Sequence, residues 1–192
     1  PVLSGGHPEL YENYLSYRWS MLDHAKKDAA NIFGAAGAFF SDISNLNGYN
    51  ALEPDTVRNC SVGAQIALDF YRYFLYTGDK AFLTERAMPM MLACADFYQS
   101  LARPGEDGTM RLPDGATAYE SYWPLKTTLT DLYVLKALLG AIRETGSDAG
   151  VGPAKLETYS ALEQHLYSAL TELIEHEGHT LEIFSVGEKW DG

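Results

Sequence analysis

Residues 56–102, TVRNCSVGAQIALDFYRYFLYTGDKAFLTERAMPMMLACADFYQSLA, decide the fold. In the second half Leu83, Ala87, Met90, Met91, Cys94, Phe97, Tyr98 and Leu101 recur at three- and four-residue spacing. That spacing puts them on one stripe of an amphipathic helix. Val62, Ile66, Phe70, Tyr73 and Phe74 repeat the pattern more loosely in the first half. Between the halves, Tyr76-Thr77-Gly78-Asp79-Lys80 reads as a turn. Gly78 can take the left-handed conformation that ends one helix, and Asp79 can cap the free N–H groups of the next. Helices joined by so short a link lie antiparallel, so the stretch predicts a helical hairpin.

Upstream, Glu9 to Asn31 reads as one long helix, with Leu10, Tyr14, Tyr17, Met21, Ala25 and Ala29 on one side and Pro8 at a position a first turn accepts. From Gly34 to Asp55 the chain turns rich in Gly, Asn, Asp and Ser and loses its period. A loop of that length is commonly functional, and the embedded Phe39, Phe40, Leu46, Tyr49 and Leu52 predict that it packs. Its polar candidates for a ligand are Asp42, Asn45 and Asn47. The competing reading is that they form Asx turns satisfying local backbone.

Downstream, Arg103 to Thr127 breaks the period again, with a short extended piece expected at Thr109–Leu112. Leu132, Leu135, Leu138, Leu139 and Ile142 mark the next helix, capped by Thr128 or Thr130 and ending at Gly146. Pro153 opens another, expected to run to about Glu175. A second extended piece is expected at Thr180–Phe184. Tight turns alternate with long polar loops, which predicts that the long loops gather at one end and build a site there. The fold class is all-α, antiparallel hairpins with at most short β pieces.

The protein has 192 residues, 46% hydrophobic, which is enough for one domain with a real core. Its net charge of −12 repels phosphate backbones and anionic lipid, so neither nucleic acid nor a membrane is an expected partner. No apolar run approaches the roughly 20 residues that cross a bilayer. Thirteen Tyr, eight Phe and three Trp either fill inter-helix space or line sites for the flat faces of sugars. Two cysteines, Cys60 and Cys94, make no disulfide framework. The chain begins at Pro1 without an initiating Met or signal peptide, and is read as processed or as an excerpt of something longer.

No metal or cofactor is expected. His7, His24, His165, His176 and His179 are scattered, and GAAGAFF follows a helix rather than the strand a phosphate loop needs. What remains is carboxylates on aromatic-rich loops, most densely Tyr119-Glu120-Ser121-Tyr122-Trp123. A Glu among aromatic rings is poorly hydrated, favours its neutral form and so suits a general acid.

These stretches together, GAAGAFFSDISNLNGYN, the YTGDKAFL hairpin, DGTMRLPDGATAYESYW and the helix DLYVLKALLGAIRETG, resemble the catalytic barrel of the six-hairpin glycosidases. Within that group they look most similar to the family 95 glycoside hydrolases, the inverting α-L-fucosidases and their relatives. The resemblance implies that residues 1–192 are part of an (α/α)6 toroid, about half of one, whose long loops form the mouth of a sugar pocket. It implies Glu120 as the general acid, with Tyr119 and Ser121 standing where the family has proline and asparagine. Asp42 is carried over as a substrate-binding candidate at the pocket edge, joined by Asn45, and Tyr49, Tyr122 and Trp123 are candidates to stack on the sugar. The implied partners are a glycoside or oligosaccharide and the remainder of the same polypeptide, which would carry the catalytic base. The implied location is secreted or periplasmic.

Two other readings stand beside this one. One is a helical scaffold that binds carbohydrate or protein without chemistry. The other is a different toroid family, trehalase-like or phosphorylase-like, which differs in its sugar and in what attacks it.

Overall fold

The computed structural model describes residues 2–52, 57, 59–113, 128–166 and 173–182. Two helices open the chain, α1 (Pro8–Ser20) with proline in its first turn and α2 (Leu22–Phe33). The single long helix expected here is bent at Met21, which keeps right-handed helical angles (φ −80°, ψ −17°). The bend has a packing cause, since α1 leans on the helix that begins at Ser61 and α2 on the one that begins at Met88.

The predicted hairpin is present. Helix α3 (Ser61–Thr77) ends on Gly78 at φ 66°, and the Asp79 carboxylate accepts the Phe82 N–H at 3.0 Å. The return arm runs through α4 (Lys80–Phe82), a π-helical turn (Leu83–Ala87) and α5 (Met88–Leu101). All eight stripe residues from Leu83 to Leu101 are buried, but so are Met88, Ala93 and Ala95. Helix α5 is therefore enclosed on more than the one side its stripe predicts, because it packs against α2, α3, α6 and α7 together. Burying each large apolar side chain of this kind contributes about 1.5–3 kcal/mol.

Helix α6 (Leu129–Thr145) starts on a Thr128 cap and α7 (Pro153–His165) on its proline. Helix α7 ends well short of Glu175: residues 173–176 are instead strand, β3 (Leu173–His176), paired antiparallel with β4 (His179–Glu182). The other extended piece is β2 (Met110–Arg111), paired antiparallel with β1 (Arg103–Pro104). Thr56, Leu170 and Phe184, named above in the expected helices and strands, lie outside the described residues.

The packing order reveals the architecture. Helix α3 packs most extensively on α6, its neighbour after next, while α5 sits between them and reaches outward to α2 and α7. Two layers of helices produce this relation: α3 and α6 in one, α1–α2, α5 and α7 in the other. The layering is that of antiparallel hairpins set side by side around an axis, part of an (α/α)6 toroid. Short links lie at one end, at Gly78–Asp79 and at residues 146–152. The long loop before α3, the β1–β2 ladder and the residue after α7, Leu166, which bridges to Met110, lie at the other. Among the described residues no helix is long and apolar enough to cross a membrane.

Candidate active site

The site is assembled at the long-loop end. Residues 38–41 are clamped between α2 and α5: Ala38 N–H donates to the Ala93 carbonyl at 2.9 Å and Phe39 N–H to the Ala25 carbonyl at 3.0 Å. Phe39 completes a ring cluster with Phe33 and Phe97, centroids 4.8–5.6 Å apart, and Phe40 is fully buried. The buried Asn50 side chain then ties the two ends of the loop. Its Nδ2 donates to the Phe39 carbonyl at 3.0 Å and to the Asp28 carboxylate at 2.8 Å, and its Oδ1 accepts Ser41 N–H at 3.2 Å. Asp42 follows at once, half-buried, placed by a frame made almost wholly of backbone and buried side chains.

Asn45 and Tyr49 close the loop tip, with Asn45 N–H donating to the Tyr49 carbonyl at 2.8 Å. The Asn45 carbonyl accepts the Tyr17 hydroxyl at 2.7 Å, and the exposed Tyr49 ring lies 4.0 Å from that of His24. Asn47 Oδ1 accepts the Tyr49 N–H at 3.2 Å, the Asx geometry that competed with a ligand role. Asp42 is directed elsewhere, to the junction of α3 and α6, where it acts electrostatically on Cys60 and Asp131. Glu120, Tyr122 and Trp123 lie outside the described residues.

The junction itself is polar. Asn59 Oδ1 accepts both Ser61 N–H (3.2 Å) and Ser61 Oγ–H (2.6 Å), opening α3. The Tyr98 hydroxyl of α5 donates to the Cys60 carbonyl. Thr128, fully buried, caps α6 by accepting Asp131 N–H at 3.2 Å and donates its own hydroxyl to Asp131 Oδ2 at 2.7 Å. Among the described residues the buried polar or charged side chains are Ser41, Asn50, Asn59, Ser61, Thr128 and Asp131, all at this end.

Asp131 is the residue that sequence reasoning missed. It is 2% exposed, and its Oδ1 has no hydrogen-bond partner. Burial pushes its carboxyl up to about 7, Asp42 adds to the rise, and the Thr128 hydroxyl opposes it. Burial likewise raises the Cys60 thiol, with Asp131 and Asp42 contributing. The available signal was Thr128-Leu129-Thr130-Asp131, a cap followed three residues later by an acid. It was read for its threonine alone.

A cleft of about 230 Å³ lies at the other end, lined by Glu12, Trp19, Phe70, Tyr73, Phe82 and Arg86 among others. Its acid is engaged, because the Tyr73 hydroxyl donates to Glu12 at 2.6 Å, and Arg86 covers the Trp19 ring at 4.7 Å. Among the described residues no group of three or more His, Cys, Asp or Glu is placed to hold a metal ion.

Layered antiparallel hairpins with their long loops at one end define the chain as part of a toroid of the six-hairpin glycosidase class. Residues 1–122 match the glycosyl hydrolase family 65 central catalytic domain, and the chain belongs to that family. It is 32% identical over 121 residues, 59% of this chain, to a kojibiose hydrolase of Flavobacterium johnsoniae. It is 25% identical over 181 residues, 88% of this chain, to a maltose phosphorylase of Bacillus subtilis. A solved structure assigned as a kojibiose phosphorylase from the human microbiome superposes with a TM-score of 0.71 over 83% of this chain at 14% identity, which bears on the fold. The chain spans 17% and 24% of the length of the two relatives and 25% of the solved chain. Family 95 is thereby replaced by family 65, and with it the support for an α-L-fucoside. The physical reason is that the YTGDKAFL turn and the order of hairpins serve the barrel, which several families share, rather than the sugar pocket.

Proposed function

We propose that these residues form about half of a catalytic toroid, closed by the remainder of the polypeptide, that cleaves a disaccharide of glucose by hydrolysis with inversion. The observation that carries this reading is the match to a central catalytic domain over residues 1–122, a span that includes Glu120 and Asp42. Kojibiose, maltose and nigerose, named in the relatives, are all α-linked pairs of glucose units. Hydrolysis is preferred because the kojibiose hydrolases, at 32% and 35%, exceed the two phosphorylases, at 25% and 30%, in identity.

In this reading Glu120 protonates the departing glycosidic oxygen while water attacks the opposite face of the sugar. The second carboxyl group stands about 6.5–9.5 Å away, contributed by the rest of the polypeptide. Asp42, at the junction of α3 and α6, binds substrate hydroxyls at the mouth; Asn45, Tyr49, Tyr122 and Trp123 contribute to its rim. Negative side chains suit this position, because the N-termini of α3 and α6 both present partial positive charge there.

The test is Glu120→Gln in the full-length protein with kojibiose, maltose and nigerose as substrates. Loss of a general acid predicts turnover reduced by about 10²–10⁴-fold. Unimpaired turnover removes Glu120 as the acid. Glucose released without phosphate supports hydrolysis, whereas cleavage only with inorganic phosphate, yielding a glucose phosphate, reassigns the attacking group.

A further inference from the structure

The buried acid of α6 does not belong to any step above. It lies in the angle between the N-termini of α3 and α6, beneath Asp42, and holds the Thr128 hydroxyl at 2.7 Å with one oxygen while the other finds no partner. An ionised carboxylate in so dry a place, with an oxygen bare, would be costly. A helix end alone would not account for it: the cap needs only the Thr128 oxygen, and Asp131 N–H already uses it.

We propose that Asp131 and Asp42 form a carboxyl pair that shares one proton, and that Asp131, as the protonated member, is a positioning residue that holds Asp42 at the mouth. The proton resides on the side of the bare Oδ1 and is donated toward Asp42, whose charge the pair then retains for substrate. The titratable groups facing Asp131 come from three directions: Asp42 from the loop, Cys60 from the start of α3 and Tyr98 from α5. Burial raises both Cys60 and Tyr98, so both remain neutral near neutral pH and Asp42 is the charged neighbour. Burial and Asp42 raise the proton affinity of Asp131, against which stands only the Thr128 hydroxyl.

The sign follows from linkage. A carboxyl raised from 3.8 to about 7 binds its proton more tightly folded than unfolded, so the stabilisation is full below the unfolded value and is lost as pH rises toward and through about 7. Above that range two negative charges face each other at the junction, and Asp42 is pushed from its place. The consequence for substrate binding rests on the function proposed above; the consequence for stability does not.

The experiment compares full-length wild type with Asp131→Asn, whose amide keeps the shape and the Thr128 contact but cannot ionise. Thermal unfolding and the kinetics of disaccharide cleavage are followed from about pH 5 to about pH 9. In wild type the melting temperature falls through neutrality and KM rises about tenfold or more, while in Asp131→Asn both are flat to within about twofold in KM. A purely structural role would lower stability equally at every pH. An Asn variant that keeps the wild-type pH dependence overturns the pair. Should Asp131→Asn fail to fold, Asp42→Asn serves: relieved of its charged neighbour, Asp131 titrates at lower pH and the wild-type stability midpoint moves toward acid, and a stationary midpoint overturns the proposal. A melting profile that behaves as expected in a protein that cleaves no disaccharide upholds the pair and rejects the functional reading. Cleavage with unaltered pH dependence in Asp131→Asn does the reverse.

Discussion

Replacing Gly37 with alanine tests whether the loop that carries Asp42 is held by direct backbone contact with α5. Gly37 has φ +84°, and a Cβ built on it would stand 2.2 Å from Phe97 N, 2.4 Å from Ala93 O and 2.8 Å from Asp96 C. All three are backbone atoms of a helix enclosed on several sides, so they cannot yield and the loop must. Backing away breaks the Ala38 N–H bond to the Ala93 carbonyl, about 1 kcal/mol. The left-handed backbone adds about 1–2 kcal/mol for any residue with a Cβ. Loosened packing of the Phe33–Phe39–Phe97 cluster costs on the order of 1–2 kcal/mol more, less than a full large-to-small core change. The total, about 4 kcal/mol, corresponds to roughly a 10³-fold loss of amide protection. Hydrogen exchange read at Ala38 and Phe39 in the full-length protein measures it locally. Gly34→Ala is the control: its φ is +62° but nothing lies within 4 Å of its Cβ, so it carries the backbone cost alone. Protection in Gly37→Ala equal to that in Gly34→Ala would refute the contact argument.

Two further outcomes follow from the same end of the molecule. Tyr98→Phe leaves the Cys60 carbonyl at the start of α3 without its donor, and should cost about 1–2 kcal/mol in denaturant unfolding with little change in the slope; a loss near zero means that water replaces the hydroxyl. Cys94 is fully buried, and burial raises both its thiol and that of Cys60. Both should resist a thiol-reactive reagent in the native protein at neutral pH and react on unfolding, as peptide mapping by mass spectrometry will show, whereas fast native labelling of Cys60 contradicts the burial described here.

The parts of the fold that were legible in the sequence are those fixed by local chemistry. Gly78, Asp79, Thr128 and Pro153 set helix ends from within a few residues of themselves, and they stand where their chemistry put them. The bend at Met21 was invisible because the apolar stripe runs through it unbroken; only the choice of partner, α3 for one half and α5 for the other, distinguishes the halves. The end of α7 was misplaced for a related reason. Leu166, Leu170 and Leu173 continue the helical spacing, yet Leu166 bridges to Met110 and Leu173 begins a strand. Spacing alone cannot say which of two periods a few leucines obey.

The site shows the same division more sharply. Asp42 stood out because it sits in a loop with no other reason for its polarity, and the structure takes it to the junction of the α3 and α6 N-termini. Asp131 lies in the first turn of a helix, where an acid is ordinary and usually solvated. What makes it unusual is the company of Asp42, Cys60 and Tyr98, which arrive from three other parts of the chain. Burial of a carboxyl group is a property of that convergence and leaves no trace in local sequence. The same convergence explains why Ser41, Asn50, Asn59, Ser61, Thr128 and Asp131 share one end. A toroid built of apolar hairpins has one place where loops and helix N-termini must be packed together, and their unpaired N–H groups require buried polar partners there. Structural demand thus stocks the mouth with polar side chains, from which a sugar site needs to leave only one or two oxygens free, as Asp131 Oδ1 is.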